Sequence, residues 1–152
     1  MSVQTIKSQL HQFCVSDTDR RITTLQNILD GINSSRESET KSSAGDKYET
    51  GRAMLHREEV QANRQLLQVM EDRRTLAALK LQDGGDRVTR GSLVVTKHGS
   101  YYLSIGLGKV RLGDQVYFCI SVQSPIGRAF LNRGVGDSIT FNGRTHTIED
   151  IL

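Results

Sequence analysis

The sequence predicts an α+β protein: an N-terminal antiparallel helical hairpin of the coiled-coil kind, followed by a small antiparallel sheet with one short helix. Three observations predict it. Apolar residues recur at three-, four- and seven-residue steps through the first half, the period of one helix face. The single proline of the chain is Pro125, so no proline interrupts a helix between Met1 and Gln82. Past Asp83-Gly84-Gly85-Asp86 the pattern changes to short β-branched and aromatic runs separated by Gly, Asn and Asp, which mark strands and turns. The expected organisation is a hairpin over residues 1–82, with an acidic tip near 37–49, and a sheet domain over 83–152.

The first helix is expected from Val3 to about Asn33. Val3, Ile6, Leu10 and Phe13 form one face; the pattern slips after Val15 and resumes at Ile22, Leu25, Leu29 and Ile32. Asp17 and Thr18 fall in the gap, so a bend or restart is expected there. From Asn33 to Gly45 the residues are mostly Ser, Thr, Glu and Lys, the composition of a loop. The second helix is expected from Asp46 to about Leu81. Tyr48, Leu55, Ala62, Val69 and Leu76 repeat every seven residues, Leu66 and Met70 broaden the stripe, and Arg52, Glu59 and Arg73 interrupt it. At ~1.5 Å per residue this helix is roughly 50 Å long, and the first is similar. Two matched helices joined by a polar loop favour an antiparallel hairpin, each stripe burying the other. A parallel dimeric coiled coil is the competing explanation of the sevenfold repeat. The remaining charges, Glu58 and Glu59 among them, read as a solvated face.

In the second half, Ser92–Thr96, Tyr101–Leu107, Lys109–Leu112 and Val116–Val122 read as strands. Ser138–Asn142 and Arg144–Ile148 form a hairpin about Asn142-Gly143. Between them, Ser124-Pro125 opens a short helix as N-cap and first helical residue, and Gly134 and Gly136 close it. Ile126, Phe130 and Leu131 are expected to cover one sheet face.

Composition limits the function classes. Only 36% of the residues are hydrophobic and none is Trp, too few for one compact globule of this length and suited to a solvated rod joined to a small packed domain. A net charge of +3 is too small and too mixed for a broad nucleic-acid surface. Cys14 and Cys119 stand far apart without metal-ligand spacing, as reduced thiols of a cytosolic protein do. Met1 to Phe13 carries polar residues throughout and no run approaches the length of a membrane span, so neither a signal peptide nor a span is expected. The expectation is a soluble, cytoplasmic monomer with no membrane partner.

The chemistry concentrates at Gly45-Asp46-Lys47-Tyr48-Glu49. If the helices pair antiparallel, Asp46 and Glu49 stand together at the end of a rod, where two carboxylates suit holding a divalent cation in a deep site. Asp-x-x-Glu at a helix start is equally a capping box, which satisfies exposed backbone donors. The two readings are compatible. Glu37 and Glu39, placed in the loop, add negative charge, which Lys41 and Lys47 partly offset.

Two stretches give the chain a resemblance to the Gre family of bacterial transcript-cleavage and elongation factors. Gly45-Asp46-Lys47-Tyr48-Glu49 resembles that family's Gly-Asp-x-x-Glu at the coiled-coil tip. Ser124-Pro125-Ile126-Gly127-Arg128-Ala129-Phe130-Leu131, followed by Gly136-Asp137, resembles the helix of its C-terminal domain. The order and the spacing agree. The resemblance implies an FKBP-like C-terminal domain that docks on RNA polymerase, with Ser124, Pro125 and Gly127 as partner-binding residues, and a hairpin that enters the secondary channel. It implies that Asp46 and Glu49 act in trans, sharing a second Mg²⁺ with the polymerase while backtracked RNA is hydrolysed near its 3′ end. On this reading the chain is an accessory factor, not an enzyme, with no cofactor held stably by itself. The usual Asn after the tip Glu is Thr50 here, followed by Gly51 and Arg52. These departures bear on cleavage more than on docking and leave room for a channel-binding inhibitor or modulator.

Other classes stay in view. A prolyl isomerase needs an aromatic-lined pocket, but Tyr101, Tyr102, Tyr117, Phe118, Phe130 and Phe141 fall mostly on core positions, and fold analogy alone says nothing of activity. A thiol enzyme needs a Cys–His pair. Cys119 lies in an apolar strand, His98 and His146 lie near turns with no evident partner, and His11 and His56 lie on the helices. A coiled-coil interaction protein outside transcription is the remaining alternative.

Overall fold

The computed structural model describes residues 3–41, 45–81 and 84–152, with side chains for 5–38, 49–81 and 84–152. Two long helices, α1 (Val3–Lys41) and α2 (Gly45–Ala78), form an N-terminal hairpin. Six strands follow: β1 (Leu93–Thr96), β2 (Gly99–Ser104), β3 (Gly108–Leu112), β4 (Gln115–Ser121), β5 (Ser138–Phe141) and β6 (Arg144–Ile151). A short helix, α3 (Pro125–Phe130), lies between β4 and β5. The α+β class holds. The chain divides into two compact units, one of Ser16–Arg74 and one of Met1–Val15 with Thr75–Leu152.

In the Ser16–Arg74 unit the two helices bury each other's stripes. Leu25, Ala62 and Val69 form the core, flanked by Ile22, Leu29 and Leu66. Ion pairs fix the direction: Arg36 pairs with Glu59, and Asp19 with Arg73 at 3.0 Å. Late residues of α1 thus meet early residues of α2, the antiparallel arrangement. The polar interruptions Glu59 and Arg73 are therefore partners across the helix pair, and Glu59 does not belong to a merely solvated face.

Two local expectations are corrected. No bend or restart occurs at Asp17-Thr18, where α1 is continuous. Thr18 is buried and continues the seven-residue series of Leu25 and Ile32, while Asp17 pairs with Arg20 and Arg21 outside it. Nor is Asn33–Lys41 a loop, since α1 runs on to Lys41, and Glu37 and Glu39 are helical residues. The segment contains no Gly or Pro, Ser38 bonds back to the carbonyl of Ser34 at 3.3 Å, and Arg36 is held by Glu59. The polarity of residues 33–38 reflects a largely exposed helix, and composition alone does not separate that from a loop. Met70, expected on the stripe, is exposed at 38%.

In the other unit the sheet runs β3-β4-β2-β1-β6-β5. All neighbours are antiparallel except β2 and β4, which pair in parallel from Ser100↔Tyr117 to Ser104↔Ser121. Successive side chains point to opposite faces, and both faces are covered. On one, Tyr102, Val110, Tyr117 and Cys119 pack with Leu10, Cys14 and Leu76 from the helices. On the other, Val94, Tyr101, Leu103, Ile139 and Ile148 pack with Phe130, and Ile126 and Leu131 join them, as expected of α3. The base of α1 contributes Leu10 and Cys14, whereas Phe13, expected on the buried stripe, is 43% exposed. The β5–β6 turn places Asn142 and Gly143 at φ 51° and 75°, as a tight hairpin turn with two left-handed residues requires. β6 extends to Ile151, beyond the expected Ile148, because its last residues pair with β1 past a register shift. α3 ends before Gly134: Leu131 is its C-cap and Asn132 takes the left-handed conformation at φ 64°. No helix among the described residues is long and apolar enough to cross a membrane.

Candidate functional site

The tip motif lies at the junction of α1 and α2. The turn residues 42–44 lie outside the described residues, and α2 begins at Gly45. Asp46 is therefore in the first turn of α2 and Glu49 is three positions on, which puts the two on one helix face. An acidic residue in the first turn also suits the positive end of the helix dipole. Glu49 is exposed. The side chain of Asp46, and with it the capping contact, lies outside the described residues.

One turn further along, Arg52, His56 and Glu59 of α2 face Arg36 of α1 around a cleft of about 270 Å³. The Arg36–Glu59 ion pair ties the two helices together at this cleft, about three turns past Glu49. Among the described residues no cluster of three or more His, Cys, Asp or Glu side chains is placed to hold a metal. The tip motif itself supplies two carboxylates, short of the six oxygens Mg²⁺ prefers. That donor set does not fit a resident ion, but it fits one whose other ligands come from a partner.

The second motif is explained largely within the fold. Ser124 caps α3, its Oγ accepting from the Gly127 N–H at 3.1 Å and donating to the Ser121 carbonyl at 2.6 Å. Gly127 is buried, and a Cβ there would stand 2.0 Å from the Ser121 oxygen. Pro125 is exposed and sits at the start of α3, where its missing N–H costs nothing. Of the three residues, Pro125 is the one open to a partner.

Two relationships escape sequence reasoning. Cys14 and Cys119, remote in sequence, have their sulfurs 3.7 Å apart in the core. His146, expected to have no evident partner, is buried beside His98, Tyr101 and Phe130, with ring centroids at 5.5, 5.8 and 6.3 Å. Alternation along β6, with His146 and Ile148 both inward, is the signal that was available. The Nδ1 of His146 is buried and meets no hydrogen-bond partner among the described residues.

This surrounding holds His146 neutral. Burial lowers its pKa below the usual 6.5, and the charges of His98 and Arg144 lower it further. The unfolded chain therefore binds a proton at His146 more readily than the folded chain does. Its contribution to stability is complete above pH 6.5 and is lost as pH falls from there toward the folded-state value. Urea midpoints measured between pH 7.5 and 5 are expected to fall on acidification, and His146→Phe to flatten that slope. An unchanged slope in the variant rejects the assignment.

Neither a scan against protein-family models nor a search of curated proteins finds a match to this chain.

Proposed function

We propose that this protein is a bacterial, cytoplasmic transcription elongation regulator that binds RNA polymerase through its secondary channel and promotes cleavage of backtracked RNA. The observation that carries the proposal is the acidic pair: Asp46 and Glu49 begin the second helix of a long antiparallel hairpin, on one helix face. A helical hairpin followed by a mostly antiparallel sheet with one short helix is the architecture the Gre resemblance implies, with the sheet domain as its FKBP-like part.

In this proposal the protein is an accessory factor. Asp46 and Glu49 complete, together with polymerase carboxylates, the ligand set of a Mg²⁺ ion, which when bound supplies an activated water and charge neutralisation for phosphodiester hydrolysis. The hairpin positions the carboxylates, and the positive end of the α2 dipole favours their ionised form. Docking falls to the sheet domain around Pro125, with Ser124 and Gly127 holding the α3 turn in shape.

A second reading, a channel-binding inhibitor without cleavage activity, is favoured by the residues that follow the acids. Thr50 stands where the resembled family has Asn, and Arg52 brings a cation within one turn of Glu49. The direct test mixes the purified full chain with bacterial core RNA polymerase and with stalled, backtracked complexes. Co-elution with core enzyme together with shortened transcripts is expected. Co-elution without shortening selects the inhibitor, and no co-elution rejects both in favour of a non-transcriptional interaction protein.

A further inference from the structure

We propose that Cys14 and Cys119 form an oxidation site, at which a peroxide joins the two thiols into an intramolecular disulfide between the base of α1 and β4. The inference is independent of the reading of the tip. The sulfurs lie 3.7 Å apart, and the thiols are 0% and 1% exposed. A disulfide bond is about 2.05 Å long, so closure requires the sulfurs to approach by roughly 1.6 Å, a displacement on the scale of small side-chain rotations. Both belong to one compact unit. The chain has 2 cysteines, so any intramolecular disulfide is this one and no other pairing competes.

The chemistry balances with one oxidant. A peroxide oxidises one thiol to a sulfenic acid and leaves as water; the second thiol attacks that sulfur, the S–S bond forms, and a second water departs. Two thiols lose two electrons and two protons in all. Burial sets the kinetics. The hydrogen bond from Cys14 and the apolar surroundings hold the Cys119 thiol well above its usual pKa, so little thiolate exists in the closed structure. Reaction therefore proceeds through local opening at the N-terminal end of α1. Reclosure then shields the disulfide from reductants among Leu10, Leu76, Tyr102 and Val110. The bond would tie residues separated by 105 positions, a loop long enough to constrain the unfolded chain strongly.

The test uses the full chain, reduced and then treated with hydrogen peroxide under native conditions, with thiols counted after denaturation and peptides mapped without reductant. The expected result is a fall from two thiols to none, a Cys14–Cys119 cross-linked peptide in monomeric protein, and a rise in melting temperature of about 10 °C. Dithiothreitol after unfolding reverses the cross-link, and Cys119→Ala shows no rise with peroxide. Cys14→Ala serves as the second control if Cys119→Ala does not fold. Two thiols persisting, sulfinic acid without a cross-link, disulfides only between chains, or closure only in denaturant would each overturn the proposal.

Discussion

Asp46→Ala combined with Glu49→Ala is expected to lower stimulated cleavage of backtracked RNA roughly 100- to 1000-fold, the scale of removing groups that stabilise charge in a transition state. Co-elution with the polymerase is expected to be unchanged, because neither carboxylate belongs to the sheet domain. The difficulty is that the same residues begin a helix, so an Ala pair also removes any cap, at a cost of about 1 kcal/mol. Asp46→Asn separates the two roles. Asn caps a helix as well as Asp does, but it has no charge to offer a cation. If the acids serve the metal, Asp46→Asn loses most of the cleavage and keeps the helical circular dichroism and melting temperature of the wild type. If they serve the helix alone, Asp46→Asn behaves as wild type and only the Ala variants lose helicity. Cleavage undiminished in the double variant rejects the proposed role of the tip.

What was legible in the sequence follows from the range of each signal. Helix faces and strand alternation are local, and the hairpin, the strands and α3 were read from them. Asp46-x-x-Glu49 is also local, and its position at the start of α2 was legible for that reason. Thr18 was misread because a β-branched polar residue can fill a heptad core position as Leu25 and Ile32 do, and hydropathy does not show it. Residues 33–41 were misread because an exposed helix and a loop share a polar composition; the contact that separates them, Arg36 with Glu59, joins two different helices. The approach of Cys14 to Cys119 is set by the packing of α1 on β4, and no spacing encodes it. The partners of His146 likewise follow from strand order, with β6 and β2 separated by β1 alone.

A large expected effect on stability comes from a single methyl group. Gly127→Ala places a Cβ 2.0 Å from the Ser121 carbonyl oxygen, 2.9 Å from its carbon and 3.0 Å from the Ser124 Oγ. The first two atoms are backbone and cannot swing aside. That carbonyl also accepts from the Ser124 N–H at 3.1 Å and the Ser124 hydroxyl at 2.6 Å, so any shift disturbs the turn and the cap together. A loss of about 3 kcal/mol is expected, seen as a fall in melting temperature of roughly 6–12 °C. Ser124→Ala removes the cap alone and costs about 1 kcal/mol, and Pro125→Ala, at an exposed position, costs less than about 0.5 kcal/mol. The series distinguishes holding the fold from touching a partner. If α3 docks on the polymerase, Pro125→Ala weakens co-elution without moving the melting temperature, whereas Gly127→Ala lowers both. A Gly127→Ala variant that melts with the wild type would mean that the β4–α3 turn yields to a side chain, and the structural role assigned to Gly127 would fail.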